Sequence, residues 1–150
     1  LFGTLFTNQK SNNLNMATEI KIKNISEGYQ SIITNGRHTI IGDEPVEING
    51  TDLGMSPTEL LLSGISMCKV ATIRNIARRK SIEIGEVNAN LSQIVKRNPD
   101  RSFTTTIDSE ISIEGNITDD HRRLLIHEAD NCYVTRVVRG DWIINDSRVI

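Results

Sequence analysis

The chain has few of the residues from which metal centres and disulfide frameworks are built. Among its 150 residues are two cysteines and three histidines. The histidines, His38, His121 and His127, have no two members three or four positions apart, so they lack the spacing that puts two ligands on one helix face. We therefore predict no metal site. Two cysteines are also too few for a disulfide framework.

Aromatic residues are scarce at 4%, and neither sign of charge dominates, with a formal net charge of −2. Because the basic residues are matched by acids and are not interleaved with aromatics, we predict no nucleic-acid partner. No glycine-rich phosphate loop is present, so a nucleotide cofactor is not expected. With 37% hydrophobic and 24% charged residues, the composition is typical of a soluble globular domain.

Long apolar runs are absent as well. The most apolar stretch begins at residues 60–62 and is broken from Ser63 onward by small and polar residues, including Lys69. A bilayer span needs roughly 20 apolar residues, so we predict no transmembrane helix and no membrane partner, with a cytoplasmic location as the default.

The first fifteen residues are polar and rich in asparagine, without the charged and apolar regions of a secretory signal. We expect residues 1–15 to be a disordered leader or tag before a start at Met16. Residues 16–150 are then predicted to form a single domain, a length that suits one hydrophobic core.

The remaining pattern predicts an α+β domain with antiparallel sheets. Alternating residues over 20–41, with a turn at Asn35-Gly36, indicate short strands and a hairpin. After a loop at 42–55, a capping box of Ser56 and Glu59 with Pro57 between them begins a helix that runs to about Lys80. The later predicted elements are strands 84–96 and 103–114, a helix after residue 118, a short helix 132–138 and a last strand 142–144.

Cys68 lies in the first predicted helix, which is apolar around most of its first half. Such a helix is expected at the centre of the domain or at an interface with a second subunit. Cys68 is twelve positions beyond Ser56, about 18 Å along the helix. The helix dipole cannot reach that far, so a reactive thiolate here needs a cation such as an arginine. Gly64, on the same face, leaves space beside the thiol.

Cys132 begins the short helix, where free backbone N–H groups favour a thiolate. The two cysteines are 64 positions apart and can meet only through the fold. Two interpretations are open at this point: a redox pair, or two buried small hydrophobic residues, since free cysteine is among the most buried residue types.

Two segments carry a family resemblance: SPTELLLSGISMCKVATIRNIARRK at 56–80 and EADNCYVTRVVRG at 128–140. Together with the loop before them, they resemble the family of OsmC (osmotically inducible protein C) and the organic hydroperoxide resistance proteins, over about residues 16–144. The resemblance implies a domain whose antiparallel sheets wrap a central buried cysteine helix, and an intertwined homodimer.

The resemblance also implies an activity. Cys68 would be the peroxidatic residue, which attacks an organic hydroperoxide and becomes a sulfenic acid. Cys132 would resolve it as a disulfide, which an external dithiol such as dihydrolipoamide reduces without a bound cofactor. Arg37, which also reads as a solvated turn residue, is the candidate clamp for the thiolate. Glu59 is the candidate acid that holds this arginine, or simply the helix cap.

Two other functions stay open on the sequence. In peroxide-active relatives an acidic residue follows the proline, whereas Thr58 occupies that position here. This difference favours a non-catalytic, dimeric stress or ligand-binding protein of the same fold. Acyl transfer by a cysteine–histidine pair is the other alternative, because His127 lies five positions before Cys132. The sequence therefore leaves open whether the protein is an enzyme.

Overall fold

A computed structural model describes residues 18–150, which fall into two compact units divided between Gly54 and Met55. The predicted leader, residues 1–15, lies outside the described residues, as does Met16. The described elements confirm the α+β class. They are β1 (Lys21–Asn24), β2 (Ser31–Thr34), β3 (Thr39–Gly42), a 3-10 helix (Val46–Ile48), α1 (Pro57–Arg79), β4 (Val87–Arg97), β5 (Phe103–Ile113), α2 (Asp119–Asp130) and α3 (Tyr133–Arg139).

The first unit is an antiparallel sheet in the order β1-β2-β3. The predicted hairpin is present between β2 and β3, but Thr34 pairs with Thr39, so the turn has four residues. Gly36 takes the positive φ of 87°, and the Asn35 side chain accepts hydrogen bonds from two backbone N–H groups, at 3.0 and 2.8 Å. The asparagine side chain thus closes a wider turn than the two-residue type that Asn-Gly predicts.

The loop after β3 is ordered by one buried carboxylate. Asp43, 3% exposed, accepts hydrogen bonds from the Thr51 hydroxyl and from the backbone N–H groups of Glu44, Thr51 and Leu53. The hydrogen bond from the Thr51 hydroxyl is the main reason that the pKa of Asp43 is lowered, against the effect of burial. These bonds give the predicted long loop a structural anchor.

The second unit packs its helices on a long hairpin. Strands β4 and β5 pair over eleven positions, from Val87 opposite Ile113 to Arg97 opposite Phe103. The core against this hairpin comes from α1, the segment after it, β5 and α2, and consists of Ile73, Ala77, Ile82, Ile113, Leu125 and Ala129.

Helix α1 buries one face within this unit. Its buried residues follow a four-residue spacing, Ile65, Lys69, Ile73 and Ala77, which places them on one stripe. Leu61, at the start of this stripe, is 47% exposed, and Met67 on another face is 74% exposed. A single chain therefore does not bury this helix on all sides, and its place at an interface with a second subunit stays a prediction.

By length and composition alone, α1 is also apolar enough to cross a membrane, with a mean hydropathy of 1.2 over an 18-residue window. By this criterion of length and composition, the small and polar residues from Ser63 onward do not exclude a membrane span. The core helix of a soluble protein passes the same test, so this property alone does not indicate a membrane protein.

The predicted last strand at residues 142–144 is wrong. Residues 140 onward form no strand in the part of the chain that the structure describes, and Ile143 and Ile144 are 90% and 85% exposed. A strand needs a neighbour to satisfy its backbone groups, and this segment pairs with none of the described strands.

The Leu125 side chain, fully buried in the core, provides a test of the packing in the second unit. We expect Leu125→Ala to lower the free energy of unfolding by about 2–5 kcal/mol, because it leaves a cavity. Arg123→Ala on the exposed face of the same helix, where Arg123 pairs with Asp120, should change it by less than about 0.5 kcal/mol. Chemical denaturation measures both values, and equal effects would contradict this packing.

Candidate active site

The second unit brings the two cysteines together. Cys68 lies in the middle of α1, and Cys132 is the N-cap of α3, after a one-residue break that follows α2. Both are free thiols. The backbone N–H of Val134, two residues after Cys132, lies 3.4 Å from the Cys68 sulfur, so the two thiols lie close together, and each alters the pKa of the other. Cys132 is 3% exposed, whereas Cys68 is half-buried. A small molecule therefore reaches Cys68 more readily than Cys132.

The first turn of α3 donates to Cys68. The backbone N–H of Val134 lies 3.4 Å from the Cys68 sulfur and donates a hydrogen bond to it. From the sequence, the free N–H groups of this helix were expected to act on Cys132 alone. In the fold, the start of α3 supplies to Cys68 the N–H group that its own helix cannot, because Cys68 lies far beyond the first turn of α1.

The thiol of Cys68 is the less acidic of the two. Burial is the main cause that raises its pKa, and the neighbouring Cys132 raises it further. The Val134 N–H acts in the opposite direction, since a hydrogen bond to sulfur favours the charged form. The balance leaves the pKa of Cys68 above its ordinary value.

For Cys132, burial also acts to raise the pKa, but other groups outweigh it and the pKa is lowered. The Thr135 hydroxyl lies 3.0 Å from its sulfur, and the neighbouring Cys68 and the cation of Lys69 also favour the thiolate. Two close thiols titrate as a pair. In this pair the surrounding groups favour the thiolate at Cys132.

Three residues at this site escaped the sequence analysis: Lys69, Asp130 and Thr135. Lys69 is 4% exposed, and its ammonium lies 2.6 Å from an Asp130 carboxylate oxygen. The signal was present, since Lys69 lies four positions from both Ile65 and Ile73, on the apolar stripe. A cation on a buried stripe requires a partner. Thr135 lies three positions after Cys132, the spacing at which a helix cap and its partner meet.

Glu59 is the helix cap. Its carboxylate accepts hydrogen bonds from the Ser56 backbone N–H and hydroxyl, both at 2.8 Å, while the Ser56 oxygen accepts from the Glu59 N–H. The hydrogen bonds from Ser56, led by that of the backbone, lower the pKa of Glu59. The capping box is thus confirmed, and the role of Glu59 in holding an arginine stays a prediction.

Arg37 belongs to the first unit, in the turn between β2 and β3. Its backbone N–H donates to the Asn35 side chain, and its guanidinium makes no hydrogen bond or ion pair with any residue from 18 to 150. Its role as a thiolate clamp stays a prediction.

Three further expectations concern the surroundings of the thiols: space beside Gly64, a histidine base and a metal site. A Cβ at Gly64 would meet no atom within 4 Å, so the space predicted there is open surface. No histidine hydrogen-bonds to either cysteine within the described part of the chain, which leaves acyl transfer without its base. Over the same residues, no cluster of three or more histidine, cysteine or acidic side chains could hold a metal ion.

An α+β unit in which a cysteine in a long helix faces a second cysteine at the start of a short helix defines a dithiol protein. The family model of the OsmC-like proteins matches residues 50–145. The match covers more than half of the chain and includes both cysteines and Glu59, but not Arg37. The chain belongs to the OsmC-like protein family.

Solved structures share the fold. An OsmC-like protein from Mycoplasma pneumoniae has a TM-score of 0.73 and 21% identity, over 85% of this chain and 90% of its own. An osmotic stress and detoxification response protein from Psychrobacter arcticus has a TM-score of 0.68 and 22% identity, over 81% of this chain and 88% of its own. An organic hydroperoxide resistance protein OsmC from Legionella pneumophila has a TM-score of 0.65 and 20% identity, over 84% of this chain and 91% of its own. No curated protein sequence matches the chain.

Two substitutions separate capping from chemistry at the start of α1. We expect Ser56→Ala to destabilise the protein by about 1 kcal/mol, because the cap is lost. Glu59→Gln should change stability little, since glutamine also completes a capping box. Thermal unfolding measures the stabilities, and the rate of peroxide consumption reports the chemistry. A large loss of rate in Glu59→Gln, without one in Ser56→Ala, would mean that Glu59 does more than cap the helix.

The Thr135 hydroxyl should set part of the acidity of Cys132. We expect Thr135→Val, combined with Cys68→Ser so that one thiol remains, to raise the pKa of Cys132, because valine has a similar shape but no hydroxyl that could donate a hydrogen bond to the thiolate. Thr72→Val is the control, since the Thr72 hydroxyl bonds to the Cys68 carbonyl and not to a sulfur. Ultraviolet thiolate absorbance against pH measures the pKa of Cys132 in each variant. Equal pKa values in the Thr135→Val and Thr72→Val variants would contradict this role of Thr135.

Proposed function

We propose that the protein is a thiol-dependent peroxidase that reduces organic hydroperoxides through Cys68 and Cys132, in defence against oxidative stress. The observation that carries this proposal is that the fold places two thiols 64 positions apart at one helix junction, where the N–H of Val134, two residues after Cys132, lies 3.4 Å from the Cys68 sulfur. Organic hydroperoxide resistance is named for the Legionella pneumophila relative, which supports the substrate class. Cys68 is the attacking residue because it is the more exposed thiol.

The first step oxidises Cys68. Cys132, the more acidic thiol, accepts the Cys68 proton while the Cys68 sulfur attacks the outer oxygen of the hydroperoxide. The O–O bond breaks, Cys68 becomes a sulfenic acid, and the alkoxide leaves and takes a proton from water. The Val134 N–H, 3.4 Å from the Cys68 sulfur, stabilises the developing thiolate.

The second step joins the two sulfurs. The Cys132 sulfur attacks the sulfenic sulfur of Cys68, the S–O bond breaks, a disulfide forms, and the hydroxyl group leaves as water with the proton that Cys132 accepted in the first step. Two thiols and one hydroperoxide have then given a disulfide, an alcohol and water. An external dithiol, of which dihydrolipoamide is one example, returns the pair to the reduced state. Trapping by Cys132 protects Cys68 from further oxidation.

We also propose that the working form is a homodimer in the cytoplasm. Leu61 and Met67 on α1 are exposed in the single chain, and a second copy would cover them. An arginine that activates Cys68, with Arg37 as the candidate, would belong to this assembled form. These exposed apolar residues are the support for the dimer.

The alternative is a non-catalytic, dimeric stress or ligand-binding protein of the same fold. The raised pKa of Cys68, which burial causes, favours it, because the thiolate is the nucleophile. Thr58, in place of an acid, also favours it. In this case the thiols persist in their reduced form while hydroperoxide is present.

Replacing each cysteine tests the peroxidase. With cumene hydroperoxide and a dithiol reductant, Cys68→Ser should lose essentially all peroxide consumption, because the attacking sulfur is absent. Cys132→Ser should lose turnover and accumulate sulfinic or sulfonic acid on Cys68, since nothing traps the sulfenic acid. Peroxide consumption and intact-protein mass spectrometry measure these outcomes. Equal consumption by the wild type and Cys68→Ser would rule out the peroxidase and favour the alternative.

A further inference from the structure

An ion pair crosses the same junction as the two thiols. Lys69 directly follows Cys68 in α1, and Asp130 lies two positions before Cys132 at the end of α2. The Lys69 ammonium lies 2.6 Å from the Asp130 carboxylate. The pair therefore joins the two segments that carry the cysteines, 61 positions apart.

The two partners differ in their exposure to water. The Lys69 side chain is 5% exposed, whereas that of Asp130 is 49% exposed. A buried ammonium needs strong compensation for its lost hydration, and a half-solvated carboxylate compensates it only in part. Lys69 can therefore stabilise a second anion. Lys69 and Thr135 line the same cavity, and the Thr135 hydroxyl lies 3.0 Å from the Cys132 sulfur, so that anion is the Cys132 thiolate, whose pKa the Lys69 charge helps to lower.

We infer that Lys69, oriented by Asp130, is a positioning residue that keeps the negative charge of the thiol pair on Cys132 and so makes Cys132 the leaving group when an external dithiol reduces the disulfide. This inference rests on the proposed function and assigns the direction of its reductive step. The reductant enters at Cys68, the half-buried sulfur, because Cys132 is 3% exposed.

An external dithiol reduces the disulfide between Cys68 and Cys132 in two exchange reactions. A thiolate of the dithiol attacks the Cys68 sulfur, the bond between Cys68 and Cys132 breaks, and its electron pair leaves on Cys132. The second thiol of the reductant then attacks the mixed disulfide, releases Cys68 and forms the oxidised reductant. Exchange is faster when the leaving thiol has the lower pKa, so a cation beside Cys132 speeds the first of these attacks.

Other charged groups face this ion pair. A cavity of about 660 Å³ is lined by Lys69 from α1, Asp130 from α2, Arg139 from α3 and Asp108 from β5. The Arg139 guanidinium donates to the Asp130 carbonyl at 3.2 Å. Two cations and two anions are balanced here, so the local field on Cys132 depends on which of them is nearest. Lys69 is the cation whose charge acts on its sulfur.

The test is a titration of Cys132 in the full chain with Cys68→Ser, followed by ultraviolet thiolate absorbance. We expect Lys69→Met to lower the acid dissociation constant of Cys132 about tenfold, as for loss of a close opposite charge, and Lys69→Arg to restore it. Asp130→Asn should raise that constant, because the amide oxygen still accepts from Lys69 but no longer neutralises it. Arg74→Met, which removes an exposed cation from the same helix, is the control.

Opposite shifts are the signature of this charge balance. If Lys69 and Asp130 were merely structural, Lys69→Met and Asp130→Asn would shift the acid dissociation constant of Cys132 in the same direction. That result, or an unchanged constant in Lys69→Met, would overturn the inference. If Lys69→Met does not fold, as judged by circular dichroism, the test rests on Asp130→Asn, and a lowered or unchanged acid dissociation constant would overturn the inference. None of these titrations needs peroxide, so their outcome is independent of whether the protein is a peroxidase.

The entry point of the reductant has its own test. The wild-type chain is oxidised with diamide, which forms the disulfide without a hydroperoxide, and is then treated with 2-mercaptoethanol. Peptide mass spectrometry should find the mixed disulfide on Cys68, and Lys69→Met should slow its formation severalfold. A mixed disulfide mainly on Cys132 would contradict the assigned direction, whatever the result of the peroxidase assays.

Discussion

The packing of the break between α2 and α3 against the middle of α1 is the interaction on which the rest of the site depends. Three interactions cross this junction: the effect of Cys68 and Cys132 on each other's pKa, the hydrogen bond from Val134 to Cys68, and the ion pair of Lys69 with Asp130. A change in this packing would disturb all three, because the same two segments supply their partners. The chemistry is thus a property of one junction between helices.

The two thiols have different environments, and the difference has a physical cause. Both are partly removed from water, which disfavours a thiolate at either. At Cys132 the hydroxyl and backbone of Thr135, the neighbouring Cys68 and the Lys69 cation together outweigh that cost, while at Cys68 the Val134 N–H does not. The result is one accessible, less acidic thiol beside one buried, more acidic thiol. In a dithiol peroxidase, such a division would suit an attacking sulfur and a sulfur that resolves and then leaves.

Local signals in the sequence predicted much of the fold. The Ser56 and Glu59 capping box, the alternation in the long strands and the hairpin at Asn35-Gly36 each depend on a few neighbouring residues. Each was confirmed, although the hairpin turn has four residues instead of two. The junction depends on contacts across about sixty residues, so the partner of Lys69 could not be identified from spacing. The strand expected at 142–144 failed for a related reason, since a strand depends on a neighbour that local pattern does not provide.

The site was predicted in part. The sequence singled out Cys68 and Cys132, the family resemblance implied their roles, and the fold places them close together. Backbone groups carry no sequence signal, so the Val134 N–H could be recognised only from the folded chain. Lys69 did carry a signal, as a cation on an apolar stripe, but its role depends on the distant Asp130.

The most direct measurement of the central claim is the oxidation state of both sulfurs after one equivalent of organic hydroperoxide, determined by mass spectrometry of unreduced peptides from the wild-type chain. The account predicts an intramolecular disulfide between Cys68 and Cys132, with the loss of two hydrogens and no added oxygen. Oxygen added to Cys68 while Cys132 stays a free thiol, or two thiols that remain reduced, would contradict it.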